Sequence, residues 1–289
     1  MNMRFDKQTL TMAFRVSVVP ALMTVVAACS PVNFSTVDNN SGTGVAQATP
    51  TPAPGCSIET VYRQTKIMFV VDASGSNNDP SGGVYNNING INTWFPNSDP
   101  AKTFRGGAIN DFFSNYQHKT NFDWSFVTFQ GSSAHAYIGS DSNPQFSTNA
   151  SDMRNAINAF YGASDSGQTP YAAGLSMATR AIQNDPDLNS ANQPNYYVIF
   201  LSDGFPTDYT DMYGNFKTAQ MQSDVGALRA AAPGRVTLST IYYAASGQQI
   251  PVAVSDLKAM ASAGGGQFAS VNTSNTTFKI DDVISTGCH

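Results

Sequence analysis

Two aspartates and three hydroxyl residues in this chain have types and spacing suited to chemistry. Asp72-Ala-Ser74-Gly-Ser76 ends an apolar run, Thr169 precedes Pro170 in Gly167-Gln-Thr169-Pro170, and Asp203 sits in Leu201-Ser-Asp203-Gly204. Each loop alone has a plainer reading: a turn with capping oxygens, a helix N-cap before proline, a polar turn. Taken together they offer two carboxylates and three hydroxyls, with no nitrogen or sulfur. That is a hard oxygen set, suited to Mg²⁺ (or Mn²⁺ or Ca²⁺) rather than zinc. Because three of the donors are neutral, only the two carboxylates offset the charge of the ion. It would accept an outside carboxylate as its last ligand.

Such a set works only if the fold brings the loops to one point. Lys66-Ile-Met-Phe-Val-Val-Asp72 reads as a buried parallel strand. Phe104 to Tyr116 recurs at helical spacing. Trp124–Phe129 and His135–Ile138 read as two strands of a hairpin around Gly131, and Met153–Phe160 and Leu175–Ile182 as helices. Tyr196–Leu201 is the strongest strand signal. After it come a helix over Thr218–Ala231, a strand over Val236–Tyr243 and a helix over Val254–Ala263 stopped by Gly264-Gly-Gly266. A short strand over Gln267–Val271 and a short helix near Thr277–Ile284 close the pattern. This alternation predicts an α/β fold with a doubly wound, mostly parallel sheet and helices on both faces. Sheets of this kind bind ligands beyond the carboxyl ends of their strands, where all three loops fall.

Asp-x-Ser-x-Ser, then Thr, then Asp, in this order, resembles the metal-ion-dependent adhesion site of von Willebrand factor type A domains. The segments GQTPYAAGL (167–175), IFLSDGFPTD (199–208) and LKAMASAGGGQF (257–268) are also similar to family segments, and the resemblance covers about 60–285. It implies a Rossmann-like, six-stranded sheet with one antiparallel edge strand, matching the hairpin within 124–138. It also implies that Ser74 and Ser76 bind the metal directly, that Thr169 joins when ligand is bound, and that Asp72 and Asp203 act directly or through water. The implied partner is a protein offering a carboxylate. The chain departs from the family pattern at Asn77, where relatives usually carry Met. It departs again in the Asn/Gly/Pro-rich insert 78–100, whose Tyr85, Trp94 and Phe95 either pack onto the domain or contact a ligand.

The N-terminus reads as an address. Arg4, Lys7 and Arg15 precede an apolar stretch ending Val26-Ala27-Ala28-Cys29, which resembles a bacterial lipobox. Residues 1–28 are thus expected to be a lipoprotein signal peptide and Cys29 the lipidated residue. Ser30 after it resembles an outer-membrane sorting signal. Residues 29–55 read as a flexible tether rich in Pro, Ser and Thr, and 56–289 as the type A domain. Cys56 and Cys288 then remain as an even pair at the domain's edges, expected to form a disulfide in an exported chain.

Composition sets the exclusions. Charged residues are 12% of the chain and the net charge is −5, with no Lys/Arg cluster, which argues against nucleic-acid binding. Neither G-x-G-x-x-G nor a phosphate-cradling G-x-x-x-x-G-K is present. No general base accompanies the three loops, because Glu59, His118 and His135 lie in other segments. The expectation is a non-enzymatic, lipid-anchored envelope protein that binds a protein ligand through a divalent cation. An envelope scaffold with a structural metal is the alternative, and a metal-dependent hydrolase the lesser one.

Overall fold

The computed structural model describes residues 63–88, 91–210, 216–245, 249–275 and 277–284. Eight strands and five α-helices alternate along them: β1 (Thr65–Asp72), β2 (Gly83–Ile88), β3 (Ile91–Pro96), α1 (Thr103–Tyr116), β4 (Phe122–Gln130), β5 (Ser133–Ala136), α2 (Ala150–Gly162), α3 (Tyr171–Gln183), β6 (Asn195–Ser202), α4 (Thr218–Ala231), β7 (Val236–Ala244), α5 (Pro251–Gly264) and β8 (Gly265–Asn272). Six of the strands form one sheet in the order β5-β4-β1-β6-β7-β8, and β2 and β3 form a separate two-stranded sheet. Every pairing in the large sheet is parallel except β4 with β5, so the antiparallel strand lies at the edge as expected.

The apolar runs are continuous because the central strands are covered on both faces. Met68 and Val70 of β1 pack into a core with Leu175 and Ile182 of α3, Val225 of α4 and Leu257 of α5. Ile67, Phe69 and Val71 point the other way, toward Phe112 of α1 and Phe160 of α2. The strand order reverses beside β1. The chain leaves β1 toward β4, whereas it leaves β6 toward β7 on the opposite side. The switch point therefore falls at the carboxyl ends of β1 and β6, the place where doubly wound sheets hold ligands.

Two expectations need correction. The helix expected near Thr277–Ile284 is only a short 3-10 turn, Ile280–Val283, with both terminal residues buried. It is pinned rather than extended, since the Ser239 hydroxyl donates to the Val283 carbonyl at 2.7 Å. The insert after Asn77 is not a plain loop either. It carries the hairpin β2–β3, with Tyr85 opposite Trp94 and Val84 opposite Phe95. The signal peptide, the tether, Cys29, Cys56 and Cys288 lie outside the described residues. Among the described residues no helix is long and apolar enough to cross a membrane.

Candidate metal centre

Asp72 is the last residue of β1, and Asp203 follows the last residue of the neighbouring strand β6. Parallel register places Val71 beside Leu201, so both carboxylates emerge at one level. Neither has room to reach water: Asp72 is 0% exposed and Asp203 3%. The Ser202 hydroxyl donates to Asp72 Oδ2, and the Ser74 backbone N–H to Asp72 Oδ1 at 2.8 Å. Ser76 Oγ donates to Asp203 Oδ1 at 3.0 Å and lies 3.0 Å from Ser74 Oγ. Asp203 Oδ2 is buried with no hydrogen-bond partner among the described residues.

Thr169 arrives from the loop before α3. That loop is stitched to β1's loop by Gly75 N–H to the Gly167 carbonyl at 3.0 Å and Ser166 N–H to the Ala73 carbonyl at 2.9 Å. Gly167 has φ +70°, and a Cβ there would stand 2.9 Å from the Gly131 backbone, so glycine is required on both counts. The approach of Thr169 is equally close. A Cβ added to Gly204 would lie 3.1 Å from Thr169 Oγ1 and 3.7 Å from Asp72 Oδ2, which places both oxygens over the same glycine.

The plainer readings of these hydroxyls do not hold. Ser74 is the N-cap of a 3-10 turn, Gly75–Asn77, yet its side chain makes no capping bond. The N-cap of α3 is Pro170, and the first N–H groups of that helix are taken by Asp208, with Tyr171 N at 3.1 Å and Ala172 N at 2.8 Å. The hydroxyls of Ser74, Ser76 and Thr169 are thus released from local duty and gathered beside two carboxylates.

Burial, then the neighbouring Asp203 charge, pushes the Asp72 carboxyl up to about 7, against the opposing hydrogen bonds from Ser202 and Ser74. Asp203 is also raised, chiefly by burial, with Ser98, Arg105 and Ser76 acting against the shift. Two desolvated carboxylates facing one another share a proton or need a cation. Their donor set of hard oxygens, with one buried oxygen unpartnered, fits a divalent ion such as Mg²⁺. Among the described residues no group of three or more His, Cys, Asp or Glu is placed to hold a metal.

Three contributors have no counterpart in the sequence reading. Asn77 is fully buried, with its amide nitrogen 3.5 Å from Asp72 Oδ1, 3.4 Å from Asp203 Oδ1 and 3.3 Å from the Ser74 carbonyl. Tyr243 of β7 donates to Asn77 Oδ1 at 2.8 Å, and burial pushes its phenol well above the usual range, so it stays a donor. Beneath the site Arg105 is fully buried and donates to the Asp72 carbonyl, to Asp99 Oδ2 at 3.0 Å and to Asp165 Oδ2 at 2.8 Å. Asp99 in turn caps α1 through the N–H groups of Phe104 and Arg105, both at 3.0 Å. A polar residue directly after Ser76 was the available signal for Asn77; Arg105 gave none, because it sits inside a helical repeat.

The insert joins the site at its base. Ser98 N–H donates to the Ser76 carbonyl at 3.2 Å and Asp99 N–H to the Asn77 carbonyl at 3.3 Å. Its three aromatics divide. Phe95 is 8% exposed and belongs to the core. Tyr85 and Trp94 are 70% and 41% exposed and meet edge to face with ring centroids 4.9 Å apart. A Cβ on Gly83 would come within 2.7 Å of the Trp94 ring, so the glycine lets that ring lie against β2.

A six-stranded sheet with one antiparallel edge, helices on both faces and these loops at the switch point is the arrangement the resemblance implied. The fold is a doubly wound, mostly parallel α/β sheet of the Rossmann-like kind. Solved structures similar to the chain include the SpRpn10 VWA domain, at 10% identity over 74% of this chain and 90% of that one, with a TM-score of 0.48. Another is the vWF domain of the type V pili tip protein Mfa5 from Porphyromonas gingivalis, at 10% identity over 75% and 93% with a TM-score of 0.47. A third is the pilus adhesin SpaC from Lactobacillus rhamnosus GG, at 16% identity over 72% of this chain but only 28% of that one, also at 0.47. No family model matches the sequence, and no curated protein does.

Proposed function

We propose that this chain is a type A protein that binds one divalent cation, Mg²⁺ first and Mn²⁺ or Ca²⁺ as substitutes, and through it an acidic side chain of a protein partner. Asp72, Ser74, Ser76, Thr169 and Asp203 would hold the ion. One observation carries the reading: two buried carboxylates face each other among three hydroxyls freed from capping, and Asp203 Oδ2 has no partner among the described residues. Five such donors would leave a six-coordinate ion one position short, and a carboxylate from outside would fill it. Tyr85 and Trp94 would then provide flanking contact, since exposed aromatics beside a polar centre are common anchors of interfaces.

The lipid anchor at Cys29, the tether and an outer-membrane location complete the proposal and rest on the sequence alone. So does the Cys56–Cys288 bridge. The role is adhesion or protein–protein contact at the cell envelope, without catalysis. The experiment is a capture from native envelopes with Mg²⁺ or EDTA, comparing wild type with Asp203→Ala. A partner retained only by the wild type and only with Mg²⁺ supports the proposal. A partner retained equally in EDTA, or by Asp203→Ala, counts against it.

A further inference from the structure

The Asn77 amide touches both candidate carboxylates without being one of the expected ligands. Its nitrogen has three acceptors at 3.3–3.5 Å, all long for an N–H···O bond. An amide nitrogen has only two protons, so it is shared among the three rather than committed to one. Its oxygen is committed: the Tyr243 hydroxyl donates to it at 2.8 Å. That contact decides which end of the amide faces the carboxylates. Turned the other way, the amide would set its oxygen against Asp72 and Asp203 and leave Tyr243 without an acceptor. Tyr243 is itself held, fully buried, with the Phe104 ring 5.5 Å away and the Arg105 guanidinium 5.8 Å from its ring centre.

We infer that Asn77 is a positioning residue that keeps Asp72 and Asp203 gathered when no cation is present, with Tyr243 fixing the direction of its amide. It takes up one oxygen from each carboxylate, the Oδ1 in both cases, and makes no contact with Asp203 Oδ2, which has no hydrogen-bond partner among the described residues. The cation then meets a preassembled pair and need not draw two like charges together. Asn77 is not a ligand in this account, because its only oxygen points to Tyr243. The inference rests on the metal reading above for its consequence, but the gathering role itself belongs to the metal-free protein.

The test uses the globular chain with three variants: Tyr243→Phe, Asn77→Asp and Asn77→Ala. Thermal melts in EDTA report the metal-free state, and calorimetric titration with Mg²⁺ and Mn²⁺ reports the loaded one. Tyr243→Phe removes one hydrogen bond, leaves the buried Asn77 Oδ1 without its donor and should melt below wild type in EDTA. Its Mg²⁺ affinity should fall about two- to tenfold, the range one such bond spans. Asn77→Asp replaces the donor by a third carboxylate of nearly the same shape. It should melt well below wild type in EDTA and regain more on adding Mg²⁺ than wild type does. Asn77→Ala should lose affinity at least as much as Tyr243→Phe. Equal Mg²⁺ affinity in wild type, Tyr243→Phe and Asn77→Ala would overturn the inference while leaving the metal reading standing. If the wild type itself gave no heat with either ion, the metal reading would fail instead. Asn77→Asp melting like wild type in EDTA would then overturn the gathering role as well.

Discussion

The two ends of β1 carry the same problem with opposite solutions. At its start, Lys66 is 2% exposed and its ammonium lies 2.6 Å from Asp123, 3.2 Å from Asp185 and 2.7 Å from Asp187. Tyr196 also donates to Asp185 at 2.8 Å, and the Phe146 ring lies 5.6 Å from the ammonium. At its finish, Asp72 and Asp203 are just as buried but accept from hydroxyls, a backbone N–H and the Asn77 amide, with no ammonium or guanidinium bonded to either carboxylate among the described residues. The nearest guanidinium, Arg105, is already matched by Asp99 and Asp165. The first cluster contains a cation of its own, although three carboxylates share that single ammonium. The second has a place for one from outside, and that asymmetry is the physical case for a cation site.

The comparison breaks most visibly at Lys66. Replacing it by Met removes the ammonium from three carboxylates, two of them 2% exposed or less. Leaving buried charges unmatched should destabilise by about 3–5 kcal/mol, read from urea denaturation. Mg²⁺ affinity of the folded fraction should stay near wild type, because the cluster lies at the far end of the strand. A loss of Mg²⁺ binding in Lys66→Met at temperatures where it is folded would join what the account keeps apart.

Asp256 sharpens the contrast as a third kind of buried carboxylate. It is 5% exposed, with Oδ2 lacking a partner among the described residues, and burial pushes its carboxyl up to about 7. The folded protein therefore holds this proton up to about pH 7, whereas the unfolded chain releases it near the ordinary value of 3.8. Stability should fall as pH rises from about 4 through 7, by up to about 4 kcal/mol if the whole shift is realised. Asp256→Asn should make that slope shallower, leaving the part that Asp72 and Asp203 contribute in the same direction, and melt above wild type at pH 8. A wild-type melt that rises with pH over this window, unchanged in the variant, would contradict the assignment.

The smallest effect is expected at the hairpin. Trp94→Ala and Tyr85→Ala remove exposed rings and should change stability by about 0.5 kcal/mol or less, with Mg²⁺ affinity unaltered. Phe95→Ala, one residue along, should cost about 3 kcal/mol because that ring is in the core. A stability loss at Trp94 matching that at Phe95 would mean both faces of the hairpin are structural.

Reading the sequence succeeded where one segment carries its own signal. The runs 67–71 and 196–201 are apolar throughout, and Gly264-Gly-Gly266 marks the end of α5, where Gly265 adopts φ +72°. The convergence of the five candidate residues was legible because each sits at or just after the end of a strand, or just before a helix. The hairpin was missed although Asn89-Gly90 stands between Ile88 and Ile91, a strong turn signal. Its strands hide it, since Asn86, Asn87 and Asn92 interrupt the apolar alternation. The Lys66 cluster left no trace at all. Its members are 57 or more positions from the lysine along the chain, at 123, 185 and 187, so only the folded register brings them together. Asn77 was seen as a departure from a pattern, but its two-sided role depends on Tyr243, 166 positions away.

The account stands on the claim that the carboxylate pair at the end of β1 is a cation site. Titrating Mg²⁺ into the EDTA-stripped chain by calorimetry, wild type beside Asp203→Ala, addresses it directly. The account predicts saturable binding of one ion to the wild type and none to the variant, with the variant melting in EDTA at or above wild type because one of two facing charges is gone. Equal binding by both proteins, or no binding by the wild type, would contradict it.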